Sequence, residues 1–240
     1  MADYKDRLVA YIRILGFQEI INRSVGPGDH ITPGEILHAL EVPKPAESAQ
    51  ILGRIGDISE SGHRISAFAD GIAITVQPTA LGLLHLLHNV AKIGFRLIRL
   101  KTPLLCRGGI ARGLVYHDGQ VIFGPALNEA RALEEGRAKY PRVILSEEAV
   151  RVGLAAEPPV GTIIKRFVRQ DEADGVYFVN ILRVVRMAMD YEKQPLERIR
   201  TIADHIDQHL QEEIARLSGE ERQQVLWFQK YFNWATNRKA

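Results

Sequence analysis

Residues 8–17 read Leu8-Val-Ala-Tyr-Ile-Arg-Ile-Leu-Gly-Phe17, and this stretch decides the fold. Leu8–Ile14 is a mostly apolar run, which predicts a buried strand that ends at a tight turn around Gly16. Gln18–Arg23 is predicted to open a helix. A glycine between a buried strand and a helix lets backbone N–H groups face an anion such as a phosphate. A plain strand–helix turn is the alternative, and taken alone the segment favours it.

A second candidate site lies at Ala69-Asp70-Gly71, between two β-type runs, His63–Phe68 and Ile72–Val76. Asp-Gly supplies the backbone conformation of a hairpin turn. A carboxylate at a hairpin tip between buried strands is a hard oxygen ligand, suited to Mg²⁺ or Mn²⁺. The alternative is an aspartate that serves only the turn.

The rest of the chain predicts an α+β domain over residues 1–182, followed by helices over residues 183–240 that pack on the domain or on a partner subunit. Apolar residues from Arg183 onward recur at steps of three and four, which is typical of one buried helix face. Ser146 is expected to cap a helix. The other predicted elements are loops at Gly26–Gly28 and Pro43–Ala46, helices at Thr32–Leu40, Thr79–Ile98 and Pro125–Arg137, strands at Leu104–Tyr116 and Arg142–Leu145, and a last hairpin of Ile163–Val168 and Val176–Leu182; Ile51–Ile58 stays unassigned.

Composition excludes several classes of protein. The 240 residues include 31 Lys+Arg against 29 Asp+Glu, and 46% are hydrophobic, so the chain is neither disordered nor strongly charged. Nearly balanced charge gives no reason to expect nucleic acid or an anionic membrane as a partner. The single cysteine, Cys106, excludes a disulfide framework. A polar N-terminus and the lack of a long apolar run favour a cytoplasmic protein.

Four sequence blocks carry a family resemblance when they are taken in order. They are YIRILGFQEII (11–21), FADGIAI (68–74), CRGGIARGLVYHD (106–118) and VIFGPALNEARALE (121–134), followed by AKYPRVILS (138–146). Together they resemble class III nucleotidyl cyclases, and more narrowly the bacterial uridylate and cytidylate cyclases of Pycsar antiphage defence. The resemblance covers roughly residues 8–146 and does not extend to the C-terminal helices.

The resemblance implies a ferredoxin-like palm that forms a head-to-tail homodimer with composite active sites. It also implies two metal ions, Mn²⁺ or Mg²⁺, which activate the ribose 3′-hydroxyl and stabilise the leaving pyrophosphate. Asp70 matches the second metal carboxylate, and Ile14 matches the residue whose backbone carbonyl helps to hold a metal. Leu15, Gly16 and Phe17 match the turn that cradles the triphosphate.

Arg13 departs from the family pattern, because the first metal carboxylate should stand directly before Ile14. A cation there removes a ligand and repels divalent ions, although it is able to bind phosphate in their place. We therefore expect weak or no turnover from the chain as written. An introduced substitution and natural degeneration both account for Arg13, and the sequence does not distinguish them.

The positions that read purines in the family fall on Ser66 and Val121. Neither side chain is able to make the purine contacts, which favours a pyrimidine base; the alternative is that other residues read a purine. Arg64 points into the same pocket or is solvated.

Asn128 matches the ribose-orienting asparagine. The transition-state arginine should lie four residues later, where Ala132 stands, and Arg131 comes one residue early. Arg131 either reaches the phosphates from another angle or is solvated. Arg107 contacts phosphate or a partner subunit, or forms a structural salt bridge.

The leading hypothesis is a cyclase that converts UTP, in preference to CTP, to the 3′,5′-cyclic monophosphate as an antiphage signal for a separate effector. The alternative is a degenerate cyclase-like module that binds a nucleotide or a partner and uses Arg13 as a phosphate contact. A polymerase-palm relative acting on nucleic acid is disfavoured, because the chain has no dense basic tract with interleaved aromatics.

Overall fold

The computed structural model describes residues 3–25, 31–41, 61–183 and 196–236. The predicted loops at 26–28 and 43–46, the segment 51–58 and the start of the C-terminal helices after Arg183 lie outside these residues. Within the described ranges, no helix is both long and apolar enough to cross a membrane.

Eight strands and eight α-helices make up the described fold. The strands are β1 (Lys5–Ile14), β2 (Arg64–Ala67), β3 (Gly71–Val76), β4 (Cys106–His117), β5 (Ile122–Phe123), β6 (Val143–Leu145), β7 (Val168–Gln170) and β8 (Tyr177–Val179). The helices are α1 (Phe17–Ser24), α2 (Pro33–Leu40), α3 (Ala80–Ile98), α4 (Pro125–Ala132), α5 (Glu147–Leu154), α6 (Val160–Phe167), α7 (Leu196–Arg216) and α8 (Gly219–Thr236). A π-helical turn, Leu133–Arg137, continues α4.

The sheet has the strand order β2-β3-β1-β4-β6-β8-β7, and β5 pairs with the far end of β4. The pairs β2–β3, β3–β1 and β1–β4 are antiparallel, and β6 pairs with β4 in parallel. The chain order β-α-β-β-α-β with the spatial order β4-β1-β3-β2 is the ferredoxin-like arrangement. The predicted α+β class, with an antiparallel-rich sheet, flanking helices and C-terminal helices, is confirmed.

Successive side chains along a strand point to opposite faces of the sheet, and residues paired across two strands share a face. Ile12 and Ile72 pair on the face against which α3 packs, and both are buried. Tyr11 pairs with Gly109 on the other face. A Cβ at Gly109 would meet the Ala130 carbonyl and lie 2.7 Å from Cβ of Leu133. Helix α4 therefore rests directly on β4, and only glycine fits between them.

The prediction of a strand at Ile163–Val168 is wrong, because residues 160–167 form helix α6. Its apolar residues, Val160, Ile163, Ile164 and Phe167, have the three-and-four spacing of a helix, and α6 packs against α3. A short apolar run does not separate helix from strand by itself. The last hairpin instead joins β7 to β8. The predicted cap at Ser146 is confirmed, because its Oγ accepts a hydrogen bond from Ala149 N at 3.2 Å.

The C-terminal helices dock on the domain through a buried arginine. The side chain of Arg142 is 1% exposed and pairs with Asp171 and Asp174. Trp227 of α8 donates its indole N–H to Asp171 Oδ2 at 2.9 Å and stacks on Tyr140, with ring centroids 5.3 Å apart. One buried cation thus ties the β7–β8 loop to α8.

Candidate functional site

Three chain segments meet at the end of β1. Ile14 N donates a hydrogen bond to Asp70 O at 2.9 Å, and Leu15 N donates to Leu105 O at 2.9 Å. Arg13 lies opposite Gly71 on β3 and opposite Arg107 on β4. The structure therefore brings the turn after β1 and the tip of the β2–β3 hairpin together at one end of the central strands.

A cleft of about 1050 Å³ opens beside this junction. Its floor includes Arg13, Asp70 and Arg107, and one wall is formed by α1. Residues of α7 and α8 supply the other wall. Gly16 has a backbone φ of +67°, and a Cβ there would meet no atom within 4 Å. The turn thus needs glycine for its conformation and faces open space rather than packed side chains.

Two arginines and two carboxylates form a charged chain that starts at the floor of the cleft and ends at a buried glutamate beneath it. Arg13 Nε lies 3.1 Å from Asp70 Oδ2, and Arg13 Nη1 lies 3.9 Å from Glu134 Oε2. Arg107 Nε donates to Glu134 Oε1 at 2.7 Å. The Glu134 side chain is 1% exposed, so water does not solvate its charge and the two arginines must compensate it. Arg107 therefore forms a salt bridge within the chain, which is the structural role given above as one of its alternatives.

Glu134 is a site residue that the sequence analysis missed as an individual position. It stands at the end of the block VIFGPALNEARALE, in the π-helical turn after α4. The Leu-Glu pair that closes this block is the sequence feature that could have identified Glu134. What the sequence does not show is which cation the carboxylate would meet, because Arg107 is 27 residues away along the chain.

The residues present do not fit a two-metal centre. Asp70 is already paired with Arg13, and Glu134 is committed to Arg107. Nowhere in the described part of the chain do three or more His, Cys, Asp or Glu side chains form a group able to hold a metal ion. The Arg13 guanidinium lies where a divalent ion bound to Asp70 would be repelled. Ile14 lies beside Asp70 through its backbone N–H, and the metal-holding role of its carbonyl stays a prediction.

Ser66, a predicted base-reading residue, is buried against a histidine. Its Oγ is hydrogen-bonded to His117 Nε2 at 3.0 Å, and Thr75 Oγ1 is hydrogen-bonded to Nδ1 at 2.8 Å. Arg64 donates to the His117 carbonyl oxygen. Burial, followed by the charge of Arg64, lowers the pKa of His117 to about 4. His117 therefore stays neutral at pH 7 and fixes Ser66; the sequence analysis did not single it out.

Val121, Asn128 and Arg131 lie apart from the cleft lining. Val121 is exposed in the turn between β4 and β5, and Asn128 is exposed on α4. The Arg131 guanidinium carbon lies 5.4 Å from the Tyr11 ring centroid. A single copy of the chain therefore places these three predicted site residues outside the cleft that contains Gly16 and Asp70.

Comparison with known proteins gives only distant likenesses. No protein-family model matches the chain, and no curated protein matches it. A solved structure similar to it is the monomeric guanylyl cyclase domain of the RhoGC fusion protein from the aquatic fungus Blastocladiella emersonii (16% identity, TM-score 0.42, 74% of this chain and 96% of that one). Another is the catalytic core of a rhodopsin-guanylyl cyclase with converted specificity in complex with ATPαS (14% identity, TM-score 0.43, 74% and 97%). A third is an adenylate/guanylate cyclase/hydrolase from Silicibacter pomeroyi (14% identity, TM-score 0.41, 74% and 96%).

Proposed function

We propose that the cleft binds a pyrimidine nucleoside triphosphate and that the chain is a nucleotidyl cyclase of the pyrimidine type with little or no turnover in its present form. The observation that carries this proposal is the junction of the Gly16 turn with Asp70, whose backbone oxygen accepts the Ile14 N–H at 2.9 Å. An open glycine turn at the N-terminus of α1 offers backbone N–H groups to phosphates. Arg13 adds a guanidinium at the same floor.

The ordered blocks of sequence support the cyclase part of the proposal, and Arg13 supports the low turnover. Its pairing with Asp70 neutralises the carboxylate that matches the second metal ligand. The expected reaction, which Arg13 holds back, converts UTP in preference to CTP to the 3′,5′-cyclic monophosphate and pyrophosphate. The product would act as an antiphage signal for a separate effector.

A pyrimidine base is supported by the surroundings of Ser66. A purine-reading residue needs a free donor or acceptor, whereas the Ser66 hydroxyl is buried in its contact with His117 at 3.0 Å. Val121 has no polar side-chain atom to offer. A second copy of the chain is part of the proposal, because Asn128 and Arg131 lie outside the cleft lining of a single copy.

The test is product formation by the unaltered chain and by Arg13→Asp, each with Mn²⁺ and an equimolar mixture of the four nucleoside triphosphates. We expect chromatography to show cyclic UMP, and less cyclic CMP, from Arg13→Asp and little product from the unaltered chain. The matched control is Arg112→Asp, because Arg112 lies on β4 in an exposed pair with Asp6. Robust product from the unaltered chain would show that the metal site is misplaced, and cyclic purine products would overturn the pyrimidine assignment.

The Arg13–Asp70 pair also favours a second candidate, a module that binds nucleotide without a metal and does not turn it over. Arg13 then contacts phosphate directly. Thermal shift with each nucleoside triphosphate, with and without Mn²⁺, separates the two. Stabilisation by UTP that needs Mn²⁺ favours the cyclase, and stabilisation that chelation leaves intact favours the module. No response to any nucleotide contradicts both.

A further inference from the structure

Phe68 is an exposed aromatic side chain beside the charged floor of the cleft. It is 41% exposed and stands two residues before Asp70 at the end of the β2–β3 hairpin. Its backbone N–H donates to Gly71 O at 2.7 Å, which fixes the place where the ring leaves the hairpin. An aromatic ring that a fixed backbone holds open to solvent beside a cleft offers its π-face to a planar ligand.

The Phe68 ring contacts Tyr11, and Tyr11 in turn lies against the Arg131 guanidinium. The Phe68 and Tyr11 rings meet edge to face, with centroids 6.0 Å apart and an interplanar angle of 64°. The Arg131 guanidinium carbon is 5.4 Å from the Tyr11 centroid. We name Phe68, Tyr11 and Arg131 the aromatic row. Tyr11 is only 5% exposed, so the row presents Phe68 as its open aromatic face.

The aromatic row borders the cleft through the Arg13–Asp70 pair. Arg13 follows Tyr11 by two residues on β1, so both side chains point to the same face of the sheet, about 7 Å apart. Burial, followed by the charge of Asp70, raises the pKa of the Tyr11 hydroxyl, whereas the charges of Arg131 and Arg13 lower it. Arg13 and Asp70 also line the cleft, whereas the described lining of the cleft does not include the aromatic row.

We propose that Phe68 is the surface on which the nucleobase of the bound nucleotide stacks. This inference rests on the proposed function, which puts the phosphates at the Gly16 turn. From there a nucleotide that crosses the Arg13–Asp70 pair reaches Phe68 with its base. Every nucleobase has a π-face, so stacking supplies affinity for the nucleoside part without choosing among bases. Phe68 would hold the plane of the base, and the contacts that select the base lie elsewhere in the site.

The experiment is calorimetric titration of the full chain with two ligands, UTP and inorganic tripolyphosphate. We expect Phe68→Ala to weaken UTP binding roughly fivefold to a hundredfold, which is the range for loss of one base–aromatic stack. Binding of tripolyphosphate, which has no base, should be unchanged. Phe68→Tyr keeps an aromatic face and should bind UTP like the unaltered chain.

The matched control is Phe123→Ala, because Phe123 is a similarly exposed aromatic, at 48%, that contacts Tyr4 instead of the aromatic row. It should leave UTP binding unchanged. Equal UTP affinities for Phe68→Ala and the unaltered chain would overturn the inference, and so would an equal loss of UTP and tripolyphosphate binding. A change in the sedimentation coefficient of free Phe68→Ala would assign the ring to contact with a second copy instead. If the unaltered chain binds neither ligand, the proposed function fails first and the stacking inference fails with it.

Discussion

Arg13 Nε lies 3.1 Å from Asp70 Oδ2, and both side chains are 42% exposed. An ion pair this open to water contributes little to stability, because solvent screens it and two side chains must be held in one geometry. The pair therefore sets the chemistry of the cleft floor more than the stability of the fold. A second pair one step deeper, Arg107 with Glu134, has the opposite character because its carboxylate is buried.

Arg13→Ala is expected to change the free energy of unfolding by less than about 1 kcal/mol, because the exposed pair with Asp70 is worth no more. Urea denaturation at pH 7 measures it. The same variant should change the response of the melting temperature to nucleotide and Mn²⁺, because it frees Asp70. A loss of several kcal/mol would mean that Arg13 supports the fold rather than the cleft.

Glu134→Ala should cost about 3–5 kcal/mol, because it leaves Arg107 with its charge partly buried and unpaired. The Arg107–Glu134 distance is 2.7 Å and the carboxylate is 1% exposed. The control is Asp6→Ala, which removes an exposed partner of Arg112 and should cost less than about 1 kcal/mol. Urea denaturation of the two variants, side by side, gives the difference. Similar losses would contradict the distinction between buried and exposed pairs.

The strands and turns of the ferredoxin-like part could be predicted from local sequence, whereas its topology was implied by the family resemblance. The buried strand at Leu8–Ile14 runs into the Gly16 turn, and Asp70-Gly71 separates the two strands of the hairpin, so these elements and turns are encoded locally. The failure at Ile163–Val168 comes from a short apolar run that satisfies either period. Packing of Ile164 and Phe167 decides it, and packing is not visible in the sequence.

Gly16 and Asp70 were identified through the ordered family blocks, because turn chemistry alone favoured a plain turn at each. The structure brings both residues to one cleft, and their roles there stay predictions. Glu134 and His117 were not singled out, because their roles depend on partners far along the chain: Arg107 for the first, and Ser66 for the second.

Gly109→Ala is expected to cost several kcal/mol and to displace α4. An added Cβ would lie 2.7 Å from Leu133 Cβ and would also meet the Ala130 carbonyl, so backbone must move. The melting temperature should fall, and Arg131 should lose its place over Tyr11. Gly136→Ala is the control, because a Cβ there meets nothing within 4 Å. That change should leave the free energy of unfolding unchanged or raise it by up to about 1 kcal/mol, because alanine lowers the conformational entropy of the unfolded chain.

Arg142→Met should loosen the C-terminal helices. It leaves Asp171 and Asp174 without their buried cation, at a cost of about 3–5 kcal/mol. Trp227, which donates to Asp171 at 2.9 Å, reports the change through a red shift of its emission. Trp234→Phe supplies the background that removes the other tryptophan. Arg151→Met, which breaks only exposed pairs within α5, should leave both emission and stability nearly unchanged.

Acid should destabilise the protein through buried histidines. Burial lowers the pKa of His85, His88 and His117 to about 4, against about 6.5 in an unfolded chain. Between these pH values the unfolded chain binds protons that the native state does not. The histidines therefore leave the free energy of unfolding unchanged above about pH 6.5 and lower it as the pH drops towards 4. Each histidine contributes a loss of roughly 1 kcal/mol per pH unit in that window. Urea denaturation at pH 7.5, 6, 5 and 4.5 measures the slope.

His88→Leu tests whether these side chains cause the slope. His88 is 5% exposed on α3, and replacing it removes one proton that the unfolded chain would gain. The loss of stability between pH 6.5 and 4.5 should shrink by about one histidine's share. Leu37→Asn, at an exposed position on α2, serves as the control, because it changes no titrating group and should reproduce the unaltered slope. An unfolding free energy that stays flat from pH 7 to 5 in the unaltered chain would contradict the role of the buried histidines, because desolvation of their charged forms requires the decline.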